Sequence, residues 1–188
     1  MKPDSDILIV GGGLSGLPLA LACAQGGLSV TVADALDPAT ATDAEFDGRV
    51  SAIAFASCRM LAQLGVTQHL EGQMQPINDI RVSDGRVREG ASPFFLHFDH
   101  KEIGNEPLGH LIENRHMRIA LQKAVDAEPL VRLIAPNAVR HVEYGSARVT
   151  ATLSEGSLVY AKICFAADGR ASPKREGAGI RNIGWGYG

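Results

Sequence analysis

The chain has 188 residues, 45% hydrophobic and 21% charged, the proportions of a soluble globular protein, which argues against a disordered chain. Its 18 basic and 21 acidic residues leave a net charge of −3 and form no Lys/Arg block, so the electrostatic footprint of a nucleic-acid binder is missing. The start, Met1 to Asp6, is too polar for a signal peptide, and the longest nearly pure apolar stretch, Gly16 to Ala24, falls far short of the ~20 residues a membrane span needs.

In chain order, Asp6 to Val10 (DILIV) is a short apolar run ending in glycines, which predicts a strand buried on both faces. Leu14 to Gln25 predicts a helix closed by Gly26-Gly27. Pro18 is tolerated because first-turn amides have no intrahelical partners to lose. Leu28 to Ala33 is a second β-rich run, so the chain opens β-α-β with parallel strands. Pro38 to Phe46 reads as a loop. Val50, Ile53, Ala54, Cys58, Leu61 and Leu64 recur at helical spacing, with Asp47 as N-cap and Gly65 as stop.

From Ile77 to Ile112 short β-like runs (INDIRVS, FFLHF, GHLI) alternate with Asp-Gly, Gly-Ala and Gly-Asn turns. Asn114 then caps a helix whose Met117, Leu121, Ala124 and Val125 share one face, ended by Pro129. Four strands close the pattern: Leu130 to Ala135, Val139 to Tyr144, Ala147 to Leu153 and Leu158 to Ala167.

Gly11-x-Gly13-x-x-Gly16 directly follows a strand and opens a helix, the context that gives such a turn meaning. The first Gly allows the tight turn, the second lets a pyrophosphate approach the backbone, and the third lets the helix pack on the sheet. Amides at the helix start then face the anion, aided by the helix dipole. Asp34 ends the second strand 18 residues past Gly16, near the ~20 expected of the acid that grips a ribose diol. A carboxylate there repels a 2′-phosphate, so FAD or NAD fits better than NADP.

Two later segments separate FAD from NAD: Asp47-Gly48-Arg49, and FAADGRASPKR at positions 165–175. With ILIVGGGLSGLPLALACAQGGLSVTVAD, DGRVSAIAFAS and GHLIENRHMRIAL, these stretches resemble the single-component flavin aromatic hydroxylases, and more closely their ubiquinone-biosynthesis branch. The resemblance implies an α/β fold: a Rossmann-like FAD-binding domain with a βαβ start, a mixed sheet and an inserted β-rich segment. Residues 1–76 and 113–180 would form the FAD-binding domain, 77–112 a segment of the substrate-side layer, and 181–188 the start of a substrate domain otherwise missing.

It also implies roles. Gly11, Gly13 and the amides of Leu14 and Ser15 would hold the FAD pyrophosphate, with Gly16 completing the turn. Asp34, where the family more often has Glu, would take the adenosine ribose. Arg49 would reach the phosphate or ribityl chain, Val139 would offer backbone to the adenine, and Asp168 would bind the ribityl side. Asn114 stands where the broader family has Arg or Gln; it can hydrogen-bond but supplies no charge. The chemistry implied is the cofactor's: NAD(P)H, a transient donor, reduces the flavin, and O2 then supplies the hydroxyl placed on an aromatic quinone precursor. No catalytic side chain is therefore expected. The expected location is the cytoplasm, with a lipophilic substrate pointing to a peripheral inner-membrane or biosynthetic-complex association.

Other features carry less. On a strand, His97 and His100 point to opposite faces, so no metal site is expected. Trp185 and Tyr187 are expected on a strand. Cys23, Cys58 and Cys164, odd in number and without a C-x-x-C, read as small buried hydrophobes in a reducing compartment. Two other readings stay open: a non-catalytic FAD-binding module, which a stop codon right after Gly188 would favour, and an NAD-dependent oxidoreductase, against which Asp168-Gly169 and Arg49 argue. Because the family's third fingerprint is missing, the chain is expected to be an N-terminal fragment that binds FAD weakly and lacks hydroxylase activity.

Overall fold

The computed structural model describes residues 3–43, 48–86, 88 and 90–186. Its main sheet has six strands: β1 (Ser5–Val10), β2 (Val30–Ala33), β8 (Val131–Ile134), β9 (Val139–Tyr144), β10 (Val149–Leu153) and β11 (Leu158–Ala166). They run in the order β8-β2-β1-β11-β10-β9. The first four of these are mutually parallel, while β10 pairs antiparallel with both β11 and β9. The sheet is therefore mixed, as expected.

Helix α1 (Gly16–Gln25) links β1 to β2, and Pro18 sits buried in its first turn without breaking it. It packs beside α4 (Asn114–Asp126). Ile7, Ile9, Val30 and Val32 meet Leu17, Leu21, Met117 and Leu121 in the larger core. Alternate residues of the same strands, Leu8 and Val10, join Ala151, Leu153, Val159 and Ala161 in a second cluster. Both faces of β1 and β2 are thus buried, which accounts for their unbroken apolar runs.

Between β2 and α4 the chain departs from expectation in several places. The loop from Pro38 contains a one-turn helix, α2 (Pro38–Ala41), capped by the Asp37 carboxylate, which accepts from the Ala39 N–H at 2.8 Å. Positions 50–64, expected as one helix, divide into β3 (Val50–Ala54) and α3 (Phe55–Gln63). Arg49 therefore precedes a strand; Asp47, the expected cap, lies outside the described residues. Strand β3 pairs antiparallel with β7 (Gly109–Glu113), which also pairs with β4 (Gln75–Ile77). This pairing overrides the helical spacing of Val50 and Ile53.

Strands β5 (Asp79–Arg86) and β6 (Gly90–Asp99) form a separate hairpin. Asp84-Gly85, read as a turn, lies inside β5, where the pairing register shifts between Ser83 and Gly85. His100 sits in a 3-10 turn after β6 rather than on the strand, and the His97 imidazole is bonded to the Asp79 carboxylate at 2.6 Å. A five-residue helix, α5 (Pro173–Gly177), follows β11. Trp185 is exposed and outside any strand, and Tyr187 lies outside the described residues. Among the described residues no helix is long and apolar enough to cross a membrane.

Candidate dinucleotide site

The parallel strands β1 and β2 deliver the glycine turn and Asp34 to one end of the sheet, and β11 delivers Asp168 beside them. Gly11 has φ +105°, a left-handed conformation, and its N–H donates to Ala33 O at 2.8 Å. A Cβ on Gly11 would lie 2.4 Å from Ala167 O, at the end of β11. A Cβ on Gly16 would lie 1.8 Å from Gly11 O and 3.5 Å from the Ala167 Cβ. The third glycine is thus needed first by the turn's own carbonyl and only second by the sheet. At Gly13 an added Cβ would meet nothing within 4 Å. That position opens onto space where a ligand backbone can approach.

The Asp34 carboxylate accepts from the Gly12 N–H and, at 2.7 Å, from the Leu36 N–H. It is held at the turn rather than loose in solvent, and Gly12 is a partner that the spacing of Gly11, Gly13 and Gly16 did not single out. Gly11, Gly13, Asp34, Val139 and Asp168 line one cleft of about 560 Å³, together with Arg140 and Lys174. The Lys174 ammonium donates to Arg140 O at 3.0 Å. Lys174 stands only six residues past Asp168 in the second fingerprint, so its place was within reach of a sequence reading.

Leu14 and Ser15 face a second cleft of about 460 Å³, which Asn114 also lines. The helix expected to be capped by Asn114 instead has Glu113 at its N-cap. Asn114 is its first residue and is only 5% exposed. Its backbone N–H donates to Arg49 O at 2.9 Å, and its Oδ1 accepts from the Ser51 hydroxyl at 2.5 Å. Arg49 and Asn114, 65 positions apart, are brought together because Val50 lies opposite Glu113 in the β3–β7 ladder. Ser51 gave no sequence signal; its contact spans 63 residues and exists only once the strands pair.

The electrostatics fit a polar ligand. Asp168 Oδ2 accepts from the Lys174 N–H at 3.4 Å, while Asp168 Oδ1 is buried with no partner among the described residues. A buried carboxylate oxygen without a donor costs free energy, and a sugar hydroxyl entering the cleft would supply that donor. Open space at Gly13, helix-start amides without intrahelical acceptors and an orphaned acceptor at Asp168 together suit a dinucleotide with a polyol chain. Burial pushes the Cys164 thiol up to about 11, although Lys174 pulls the other way. It stays protonated at neutral pH and is no nucleophile. Cys58 is buried, whereas Cys23 and Cys164 are only half-buried.

The profile of the family described as "FAD binding domain" matches residues 4–186. The chain belongs to this FAD-binding family. FAD is therefore the dinucleotide of the domain. The chain is 44% identical over 184 residues to ubiquinone hydroxylase UbiL of Rhodospirillum rubrum, covering 97% of this chain and 42% of that protein. It is 32% identical to the 3-demethoxyubiquinol 3-hydroxylase of Escherichia coli, over 97% of this chain and 46% of that one. The FAD-binding domain thus spans less than half the length of these relatives. Among solved structures, p-nitrophenol 4-monooxygenase PnpA of Pseudomonas putida DLL-E4 superposes with a TM-score of 0.77 at 20% identity, over 95% of this chain and 44% of that one. At that identity the likeness concerns the fold.

Proposed function

We propose that this chain is the FAD-holding part of a flavin monooxygenase that hydroxylates the aromatic ring of a ubiquinone precursor. The observation that carries the reading is the convergence of Gly11, Gly13, Asp34, Val139 and Asp168 on one cleft, in a chain 44% identical to a ubiquinone hydroxylase. In this reading Gly11, Gly13 and the Leu14 and Ser15 amides hold the pyrophosphate, and Gly16 lets the turn close. Asp34 takes the adenosine ribose, Val139 the adenine and Asp168 the ribityl side. Arg49 reaches the phosphate or ribityl chain, with Asn114 beside it. Residues 1–76 and 113–180 are the cofactor half, 77–112 belongs to the substrate-side layer, and 181–188 leads into the substrate domain.

Bound FAD would supply the redox chemistry, with NAD(P)H as donor and O2 as the source of the hydroxyl. The chain's own residues bind, orient and exclude water, and none is assigned a covalent step. A lipophilic substrate places the working enzyme at the cytoplasmic surface of the inner membrane or in a biosynthetic complex. Hydroxylation is a property of the whole protein; the 188 residues alone are expected to bind FAD weakly and not to turn over. Titrating full-length apoprotein with FAD and with NAD, followed by flavin fluorescence and calorimetry, tests the cofactor assignment. Saturable FAD binding is expected, and tight NAD binding in its place would sink it.

A further inference from the structure

We infer that Ser51 is a positioning residue for the cofactor, acting through Asn114. The inference rests on the FAD reading above and adds a residue to which that reading gives no role. Ser51 lies on β3, opposite Ile112 in the ladder with β7, one residue before the strand gives way to α4 at Glu113. Its hydroxyl donates to the Asn114 carboxamide oxygen at 2.5 Å. Asn114 is 5% exposed and its main chain holds Arg49 O at 2.9 Å. Ser51 and Asn114 also line the cleft reached by Leu14 and Ser15 at the start of α1.

The chemistry of a carboxamide makes this contact directional. Its two ends differ, one accepting and one donating, so a rigid donor on the oxygen decides which way the group is turned. At this site the broader family offers a longer Gln or a charged Arg, as the resemblance implies; an Asn has less reach and no charge. Its usefulness to a ligand depends on being held in one orientation. Ser51 supplies that hold, and the same bond ties the start of β3, next to Arg49, to the start of α4. Without the hydroxyl, a buried amide oxygen loses this donor, which loosens both the orientation of the carboxamide in the cleft and the tie between β3 and α4.

The test is a double-mutant cycle read as FAD dissociation constant in titrated full-length apoprotein, with the melting temperature of each apoprotein recorded beside it. Ser51→Ala is expected to weaken FAD binding about tenfold, the loss of one well-placed hydrogen bond to a buried partner. Ser51→Thr keeps the hydroxyl on a residue suited to a strand and is expected to stay within about threefold of the wild type. Asn114→Ala should weaken binding at least as much as Ser51→Ala, and the double variant no further than Asn114→Ala alone. If Ser51→Ala does not fold, Ser51→Cys, with a weaker donor of similar size, takes its place and should fall between Ser51→Thr and Asn114→Ala. Unchanged FAD affinity in Ser51→Ala, or losses that simply add in the double variant, would overturn the role. Failure of the folded wild type to bind FAD would sink the cofactor reading and this role with it.

Discussion

Three glycines in one turn look alike in the sequence, yet the geometry assigns them different duties. Gly16 has a backbone oxygen 1.8 Å from where its Cβ would lie, and Gly11 combines a 2.4 Å approach with positive φ. Gly13 has neither constraint: nothing lies within 4 Å and its φ is outside the left-handed region. Folding demands glycine at positions 11 and 16 but not at 13, where the proposed pyrophosphate contact is the reason left for one. Gly16→Ala is expected to destabilise the fold by roughly 3 kcal/mol, since backbone rather than a side-chain tip must move. Gly13→Ala should leave stability within about 0.5 kcal/mol while weakening FAD at least tenfold. Urea denaturation and FAD titration of the two variants separate these outcomes, and a Gly13→Ala protein that binds FAD normally would remove the pyrophosphate from that position.

Between elements, the centre of the main sheet is tied by one carboxylate. Asp6, on β1, accepts from the Ser29 hydroxyl at 2.7 Å and its N–H at 2.9 Å, just before β2, and pairs with Lys162 of β11 at 2.6 Å. The Lys162 ammonium first, then Ser29, holds the carboxyl well below the usual aspartate range. A group depressed in the fold stabilises it at pH values where the unfolded chain's carboxylate is ionised, above about 4. That contribution drains away as pH falls below 4 toward the folded group's own value. Urea midpoints of wild type and Asp6→Asn should therefore differ at pH 7 and draw together by about pH 2. Parallel midpoints across that range would show that the pairing contributes nothing.

The boundary between β3 and α3 shows why some of this order escaped the linear pattern. A strand runs directly into a helix at Ala54-Phe55 with no turn residue between them, and Val50, Ile53 and Ala54 satisfy a helical period by coincidence. Pairing with β7 decides it, and that partner lies more than fifty residues downstream. By contrast β1, α1 and β2 were legible because strands buried on both faces and a helix closed by Gly26-Gly27 announce themselves locally, and β8 to β11 because short β-rich runs are separated by turn residues.

Over the molecule as a whole, apolar surface is distributed unevenly. The register of the β5–β6 hairpin places Ile80, Val82, Leu96 and Phe98 on one face with Phe94, and all five are exposed, Phe94 by 86%. The opposite face carries Asp79, Arg81 and His97, with the Arg81 guanidinium 5.8 Å from the Phe95 ring centroid. An apolar face of this size is an association hazard in water. Replacing Phe94 and Leu96 by Ser should lower light scattering of the concentrated 188-residue chain without lowering its melting temperature, because neither side chain is buried. Scattering that is unchanged, or a fall in melting temperature, would contradict this account of the face.

Local chemistry alone placed the glycine turn after a strand, the acid at the end of the next strand and the Asp-Gly step after the last, because each depends on neighbours within a few residues. The resemblance then connected those pieces to FAD. The tertiary structure decided what depends on distance in the chain: that Asp168 has a buried oxygen awaiting a donor, that Asp34 is held by the Gly12 amide, and that Asn114 meets both the Arg49 carbonyl and the Ser51 hydroxyl. Those contacts follow from the register of β1 against β2 and β11, and of β3 against β7. Strand register is a long-range property, set by which faces are buried when the sheets assemble.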